Sequence, residues 1–407
     1  MGINLALGIL YTWSVISQNI PADWGWNESD KSWPYSWACL VFCLIMVPAG
    51  RMQDALGPRI VAAIGGILVG VGFIVASFTT SLIGFVIGFG VIAGAGLGFG
   101  YASCTPPAVK WFSASKTGLI AGLVVSGFGL ASVYTAPLTK WLIVSFGFAS
   151  AMLTLGIAFL ILVVGLSLLL VPPPPGFVPP QSAAQAKGQP PAGNKVDYRP
   201  REMLRTPQFY TIWFTYACGA GAGLMIISKL AAIADKQIGI SLGFMLVAVL
   251  AIGNGGGRVL AGMLSDRIGR KATLFICFVL QALLIFLLSK ATGQNILGNL
   301  WATATMAALI GANYGANLSL FPSLTKDYFG LRFFGTNYGL VFTAWGVGGF
   351  LLAKLAGSMY VRFQTFDIAY WGAASLLVIA ALVTLPLRAP RPRPIKIPAT
   401  APQPVNT

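Results

Sequence analysis

Gly50-Arg-Met-Gln-Asp-Ala-Leu-Gly-Pro-Arg59 and Gly262-Met-Leu-Ser-Asp-Arg-Ile-Gly-Arg-Lys271 share one pattern of glycine, aspartate, glycine and trailing basic residues. The first copy follows the second apolar stretch of the chain that is long enough to cross a bilayer, and the second copy follows the eighth. A motif that returns six stretches later predicts a chain made of two equivalent halves.

Each copy of the motif has a physical interpretation as part of a gate or hinge. A small first residue lets two helix ends approach, the aspartate can sit against the amino end of a neighbouring helix, and the cations prefer the cytoplasmic face. The predicted gate residues are Gly50, Asp54, Arg59, Gly262, Asp266 and Arg270.

The composition is that of a membrane protein. Hydrophobic residues make up 56% of the 407 residues and charged residues only 9%, with 49 glycines. This excludes a soluble globular domain. The net charge of +16 does not indicate nucleic acid, because the basic residues lie in short loops and form no basic arm. The five cysteines lie in apolar stretches without metal-ligand spacing, so neither disulfides, a metal nor a cofactor is expected.

The hydropathy pattern predicts an all-α membrane protein with twelve transmembrane helices in two six-helix bundles. Its four predicted parts are an N-terminal bundle (1–171), a proline-rich cytoplasmic linker (172–206), a C-terminal bundle (207–388) and a cytoplasmic tail (389–407). The predicted spans are 1–19, 33–52, 59–79, 82–109, 116–139, 145–171, 207–234, 240–264, 271–290, 296–325, 335–360 and 366–388.

Lysine and arginine are distributed unequally between alternate loops. With a cytoplasmic amino terminus, 18 of the 26 fall in the inner loops, linker and tail, 5 fall in the outer loops, and 3 lie within helices. The positive-inside rule therefore predicts a multi-pass protein of the cell (inner) membrane with both termini in the cytoplasm.

Arg258 is the most informative single residue. It lies in the apolar stretch from Leu242 to Leu264, which otherwise carries no charge. An arginine at this depth is costly, so it normally faces a polar cavity, a counter-ion or an anionic substrate. Helical side chains lean toward the amino end, so Arg258 is expected to reach toward the midplane beside Asn254, one turn earlier. The alternative is an arginine whose side chain extends to the inner headgroups.

The doubled motif and the arrangement of six plus six helices resemble the major facilitator superfamily. Four shorter segments, given at the end of this paragraph, resemble more specifically its monocarboxylate transporter and oxalate/formate antiporter branch. The resemblance implies alternating access, in which the two bundles rock around a site at the membrane midplane. The segments are Glu202-Met-Leu-Arg-Thr-Pro-Gln-Phe209, Asn254-Gly-Gly-Gly-Arg258, Lys110-Trp111-Phe112 with Gly118, and Asn337-Tyr-Gly339.

A departure from that branch predicts the charge of the substrate. In the oxalate carrier, an arginine of helix eight and a lysine of helix eleven hold the two carboxylates. Arg258 matches the first position, but the second falls on Trp345. A buried dianion needs two compensating charges, so one cation beside an aromatic residue suits a short monocarboxylate such as lactate or pyruvate.

Aromatic side chains are further candidates for the substrate site, alongside Asn254. Their expected role is to line the cavity and contact the apolar end or hydroxyl of the substrate. The alternative for each is ordinary packing or a place at the membrane interface. Mammalian-type monocarboxylate transporters carry a lysine in helix one, where Tyr11-Thr-Trp-Ser-Val15 has none. The candidates are Tyr11, Tyr101, Tyr314, Phe342 and Trp345.

Proton coupling needs a titratable group, and the chain has no histidine. Mammalian-type carriers place an aspartate where this chain has Asn254. Asp235, near the outer end of helix seven, is the best remaining candidate, because burial would favour its protonated form and pairing with Arg258 its charged form. The alternative is a hydrated loop acid. Either Lys229 or Lys354 is also expected to face the cavity.

Glycines four residues apart in helix four predict close helix packing that permits sliding. They form two sets, Gly90, Gly94 and Gly98, and Gly96 and Gly100.

Three functions are consistent with these features. The favoured function is a monomeric secondary transporter, not an enzyme, that moves a short monocarboxylate anion with a proton across the lipid bilayer. The second is a carboxylate exchanger of the oxalate/formate type. The third is a membrane sensor or membrane-embedded enzyme, against which stand the lack of a sensory domain and of paired catalytic acids.

Overall fold

The computed structural model describes residues 1–112, 117–171, 174, 177, 197–330 and 333–390, apart from the side chains at positions 54, 106, 109, 110, 117–119 and 121. Most of the predicted linker, most of the tail and the side chains of Asp54 and Lys110 therefore lie outside the described part.

The described residues fold into helices without any strand, as the hydropathy pattern predicts. The helices of the first half are α1 (Gly2–Leu7), α2 (Trp13–Gln18), α3 (Trp33–Leu56), α4 (Pro58–Ser77), α5 (Leu82–Phe85), α6 (Gly94–Lys110), α7 (Thr117–Leu130), α8 (Ser132–Phe146) and α9 (Phe148–Ser167). Those of the second half are α10 (Pro200–Met203), α11 (Pro207–Ile233), α12 (Gly243–Ile268), α13 (Arg270–Ser289), α14 (Leu300–Phe329), α15 (Phe334–Phe363) and α16 (Asp367–Thr384).

Ten helical segments within the described residues are long and apolar enough to cross a membrane. The other two predicted spans differ in their form. The first consists of α1 and α2 joined by a 3-10 segment, Gly8–Thr12, so neither α-helix is long enough by itself. The tenth, α14, is long but less apolar, because it carries Asn313, Tyr314 and Asn317 on its buried face. All twelve predicted spans are thus helical, and the all-α fold of twelve membrane helices is confirmed.

The same helix pairs form in both halves. In the first half, α3 packs on α6, and α4 packs on both α6 and α9. In the second half, the helices six spans later repeat these contacts: α12 packs on α14, and α13 packs on both α14 and α16. Between the halves, α3 lies against α15, α7 and α8 lie against α12, and α2 lies against α11.

The repeated motif makes the same sharp turn in each half. Gly57 separates α3 from α4 with φ 84° and ψ 161°, and Gly269 separates α12 from α13 with φ 90° and ψ 154°. This backbone conformation is open essentially to glycine alone, which explains the repeated glycine. The close helix approach expected at Gly50 and Gly262 is not found in this conformation, since an added Cβ there would meet no described atom within 4 Å.

The glycines of helix four form two packing surfaces, as predicted. Gly90, Gly94 and Gly98 lie against α3, whereas Gly96 and Gly100 lie against Gly65 of α4. The central part of this span, Val86–Ala93, is a π-helix, which has a wider turn than an α-helix.

The packing of α12 on α14 brings the two backbones into direct contact. Both helices carry glycines four residues apart, and an added Cβ at any of them would collide with the opposing main chain. This interface fixes the positions of the α12 and α14 residues that lie between these glycines. The reciprocal contacts with backbone carbonyl groups are Gly253 with Ala308, Gly257 with Ala312, Gly311 with Leu250 and Gly315 with Asn254.

Replacing Gly257 by alanine should therefore push α12 and α14 apart. The Cβ would meet backbone atoms of Ala312, which cannot rotate away, so we expect a loss of about 1 to 3 kcal/mol in unfolding free energy, as for an overpacked core. Thermal unfolding of the purified protein in detergent measures the effect. Gly256→Ala is the matched control, because a Cβ there meets no described atom within 4 Å. Equal thermal stability of the two variants would contradict this account.

Candidate functional site

Arg258 lies at the contact between the two halves of the protein. Its side chain is buried on α12, with 3% of the residue exposed. The Nε atom donates to Oδ1 of Asn254 at 3.1 Å, and Nη1 donates to the backbone carbonyl of Val125 in α7 at 2.5 Å. The guanidinium thus points toward the amino end of α12, as helix geometry predicts, and in this conformation it does not extend to the headgroups.

Two hydrogen-bond donors at this position are buried without an acceptor. Within the described residues, neither Nη2 of Arg258 nor Nδ2 of Asn254 has a hydrogen-bond partner. No described carboxylate lies within 4.0 Å of the guanidinium. Each buried unpaired donor costs about 1 to 3 kcal/mol, which makes the pair a site suited to an anionic acceptor.

Gly129 of α7 provides the space for these two side chains. A Cβ at this position would lie 3.2 Å from Cζ and Nη2 of Arg258 and from Cγ of Asn254. The backbone of α7 therefore forms one wall of the site, and the glycine contacts between α12 and α14 hold the opposite wall.

Three predicted aromatic residues form a chain of hydrogen bonds that crosses between the halves. Tyr11 of the 3-10 segment and Tyr314 of α14 share a hydrogen bond, with their hydroxyl oxygens 2.6 Å apart. Nε1 of Trp345 in α15 donates to the hydroxyl of Tyr314 at 2.8 Å. Tyr11 and Tyr314 both interact electrostatically with Arg258.

The remaining predicted aromatic residues belong to the same cluster. Phe342 stacks on Trp345 with ring centroids 5.2 Å apart, and Tyr101 lies 6.2 Å from Phe342. Phe42 and Phe128 complete the cluster, since the ring of Tyr101 contacts both, at 5.5 and 5.3 Å. Sequence reasoning missed these two phenylalanines, because each is one apolar residue among many in its helix and only the tertiary fold brings them to Tyr101.

Asp235 lies apart from this cluster. It is exposed, in a cleft of about 250 Å³ between the halves that is also lined by Gln18, Asn19 and Lys140. The burial and the pairing with Arg258 on which its predicted role depends are both absent in this conformation. Its part in proton coupling therefore stays a prediction.

Neither Lys229 nor Lys354 contacts the Arg258 cluster. Lys229 is buried against Glu28, and Lys354 donates to the backbone carbonyl and hydroxyl of Ser29. Both lysines therefore hold α11 and α15 to the loop that joins the first two spans. The expectation that one of them faces the cavity is not met here.

Glu28 is a buried acid that sequence reasoning missed. Its Oε2 atom lies 3.0 Å from Nζ of Lys229, and Oε1 lies 2.8 Å from Nζ of Lys236 and 3.7 Å from Nζ of Lys31. Only 4% of the residue is exposed. In the sequence it is one acid in a polar loop, and the single hint was Lys229, a cation in an apolar stretch that needed a partner. We call these four residues the outer ion cluster, after the side of the membrane on which the distribution of loop charges predicts this loop to lie.

The cluster keeps the Glu28 carboxylate ionised. Burial by itself would raise the pKa of Glu28, but the charges of Lys229 and Lys236 outweigh it and lower the pKa to about 2. The carboxylate is therefore charged at any physiological pH. The ion pairs that it makes between the halves accordingly do not change over the physiological pH range.

The motif residues form ion pairs at the opposite end of the protein. Arg270 contacts the carboxylate of Asp266 at 2.7 Å and that of Asp327, in α14, at 3.5 Å. The second copy of the motif thus ties the start of α13 to the end of α14. Arg59 of the first copy is exposed.

These features define a polytopic membrane carrier with two structurally repeated halves and a buried cationic site between them. The family model of the Major Facilitator Superfamily matches residues 2–258 and 233–406, and the chain belongs to this superfamily.

Several curated proteins are similar over most of their length. The uncharacterized MFS-type transporter YhjX of Escherichia coli (strain K12) is 27% identical, covering 85% of this chain and 83% of the relative. The oxalate:formate antiporter of Oxalobacter formigenes is 26% identical, covering 91% and 84%. Human monocarboxylate transporter 11 is 25% identical, covering 93% and 78%. The predicted relationship to the monocarboxylate and oxalate/formate branch is confirmed.

The stability that Glu28 contributes should depend on pH in one direction. Because the pKa of its carboxyl is lowered to about 2, the stabilisation is complete above the usual value near 4.5 and is lost as the pH falls toward 2. Thermal unfolding of wild type and Glu28→Gln should differ by a constant amount from pH 8 to about 5.5 and converge at lower pH. Asp23→Asn, an exposed acid in the same loop, is the control. A gap that widens on acidification would contradict the assignment.

Proposed function

We propose that this protein is a secondary active transporter that carries a short monocarboxylate, such as lactate or pyruvate, together with a proton by alternating access. Arg258 supports this proposal most directly, since it is a buried cation at the contact between the halves and no carboxylate of the described residues lies beside it. We further propose that the carrier acts as a monomer in the inner membrane with both termini in the cytoplasm, as the distribution of basic loop residues favours.

The charge of the site favours a monoanion. Arg258 supplies the positive charge of this cluster. The oxalate carrier has a lysine at the position of Trp345, whose indole nitrogen here donates a hydrogen bond to Tyr314. A second substrate carboxylate would have to be buried without a compensating charge. Nη2 of Arg258 and Nδ2 of Asn254 are the two donors that a single carboxylate would satisfy.

The surroundings of Arg258 favour a small substrate with a hydroxyl or keto group. The hydroxyls of Tyr11 and Tyr314, which interact electrostatically with Arg258, can donate to or accept from such a group. The rings of Phe42, Phe128 and Phe342 pack together in the same aromatic cluster and offer apolar surface, which suits the methyl end of a three-carbon acid.

The proposed transport cycle moves the halves against each other at two places. On the outer side, α2 and α11 meet, and the outer ion cluster joins the halves there. Around Arg258, α7 meets α12, and the Val125 carbonyl accepts from Nη1. A substrate carboxylate that replaced this carbonyl would loosen the contact between α7 and α12, which gives binding a means to promote the movement.

We retain Asp235 as the proposed proton carrier. It lines the cleft between the halves, where a rocking movement changes its exposure. A second candidate function is exchange of carboxylates without a proton, which the similarity to an oxalate:formate antiporter favours.

Arg258→Gln should abolish uptake of labelled lactate. Loss of a charge-assisted pair with the substrate, on the order of 3 kcal/mol, corresponds to a fall in uptake of about 100-fold. Initial rates in proteoliposomes measure this. Arg362→Gln is the matched control, because Arg362 is an arginine of the same half that is exposed and lies outside the repeated motif. Undiminished lactate uptake by Arg258→Gln would refute the assignment of the site, and competition by oxalate as strong as that by pyruvate would refute the choice of a monoanion.

Uptake should rise with an inward proton gradient and lose that dependence in Asp235→Asn. An amide cannot take up a proton, so the variant should still exchange labelled for unlabelled lactate while net accumulation fails. Proteoliposomes with and without a protonophore separate the two activities. Asp23→Asn, an exposed outer acid, serves as the control. Uptake that ignores the gradient and requires a carboxylate on the opposite side would instead select the exchanger.

A further inference from the structure

The outer ion cluster carries more positive than negative charge. One carboxylate, from Glu28, is shared by the ammonium groups of Lys31, Lys229 and Lys236. Glu28 and Lys31 lie in the loop of the first half, whereas Lys229 and Lys236 lie on and just after α11 in the second half. The cluster is therefore divided along the plane at which the two halves part when the outer side opens.

We propose that Lys229 and Lys236 form a receiving site for the substrate carboxylate when the outer side is open, and that Glu28 is a tethered carboxylate that fills this site when the outer side closes. The proposal rests on the proposed function, because it requires that the substrate be a carboxylate. It adds a second binding site to the one at Arg258.

The geometry of Glu28 is that of a bound monocarboxylate. Each of its two oxygens faces a different lysine of the second half, Oε2 at 3.0 Å from Lys229 and Oε1 at 2.8 Å from Lys236. Charge-assisted hydrogen bonds of this kind are the strong ones, and a two-point arrangement also sets orientation. A free acid with one carboxylate can make the same two contacts.

Opening of the outer side leaves Lys229 without the acceptors it has in this structure. Its ammonium donates to Oε2 of Glu28 and also to the Glu28 backbone carbonyl at 2.9 Å. Both acceptors belong to the same residue of the first half, so separation of the halves removes them together. The side chain is buried in the closed state, and Lys236 follows it seven residues later on the same side of the segment. Two neighbouring unpaired cations at an opening cleft attract anions from solution.

Closure of the outer side is then expected to move the substrate away from the entrance. When Glu28 returns to the lysines, it competes with a substrate carboxylate held there, so the substrate cannot remain at the entrance in the closed state. Arg258, whose Nη2 has no partner among the described residues, is a further cationic site between the halves. Glu28 is thus expected both to close the outer side and to displace the substrate from its first site.

A set of variants in the Glu28→Gln background separates this role from simple closure. The competing carboxylate is then absent in every variant, and the closing ion pair is already broken. Glu28→Gln/Lys229→Gln should have a KM for lactate uptake about fivefold above that of Glu28→Gln, the effect of an ion pair worth on the order of 1 kcal/mol. Glu28→Gln/Lys31→Gln is the matched control with the same net charge, because Lys31 moves with the first half and should leave KM unchanged.

Initial uptake rates in intact cells measure this KM from the outer side alone, and KM does not depend on the amount of protein in the membrane. Should Glu28→Gln be inactive, Lys236→Gln and Lys31→Gln in the wild-type background provide the same comparison, since both side chains are partly exposed. Equal KM values for the lysine variants of the two halves would overturn the proposal. If lactate uptake by the wild type is absent or independent of Arg258, the proposed function itself fails, whereas Arg258-dependent uptake with equal KM values refutes only the receiving site.

Discussion

Arg258 is buried where the two halves meet, and no carboxylate of the described residues lies beside its guanidinium. Arg258 is bonded to Asn254 on its own helix and to a backbone carbonyl of α7, yet Nη2 is left without an acceptor among the described residues. Neutral oxygens satisfy some of the donors but leave the charge uncompensated. Under the proposed function, a substrate anion would supply the compensating charge that the described residues do not place beside Arg258.

The fold supports this by holding the backbone of three helices close to the side chain. Gly129 brings α7 against the guanidinium, and Gly257 and Gly315 bring α12 against α14. Larger residues at these positions would separate the helices and give the arginine other places to lie. Close packing through glycine thus serves the site as well as the bilayer-embedded fold, where association depends on packing and not on hydrophobic burial.

The two ends of the protein use charge in different ways. At the outer side, a buried carboxylate shared by three lysines joins the halves, and a separated half would expose unpaired cations. At the other end, Arg270 joins Asp266 and Asp327, all within the second half. The outer contact must break for the halves to part there, whereas the second can persist through such a movement. This difference follows from which half each residue belongs to.

The sequence by itself determined the class of fold, because hydropathy over a span of about 20 residues and a repeated turn motif are local properties of the chain. It also singled out Arg258, since a charge in an apolar stretch is visible without a structure. Only the tertiary structure shows which apolar residues pack around Tyr101, as Phe42 and Phe128 do, and that Glu28 is buried while Asp235 is exposed. Burial and pairing of a loop acid depend on residues some two hundred positions away, and no local pattern carries that information.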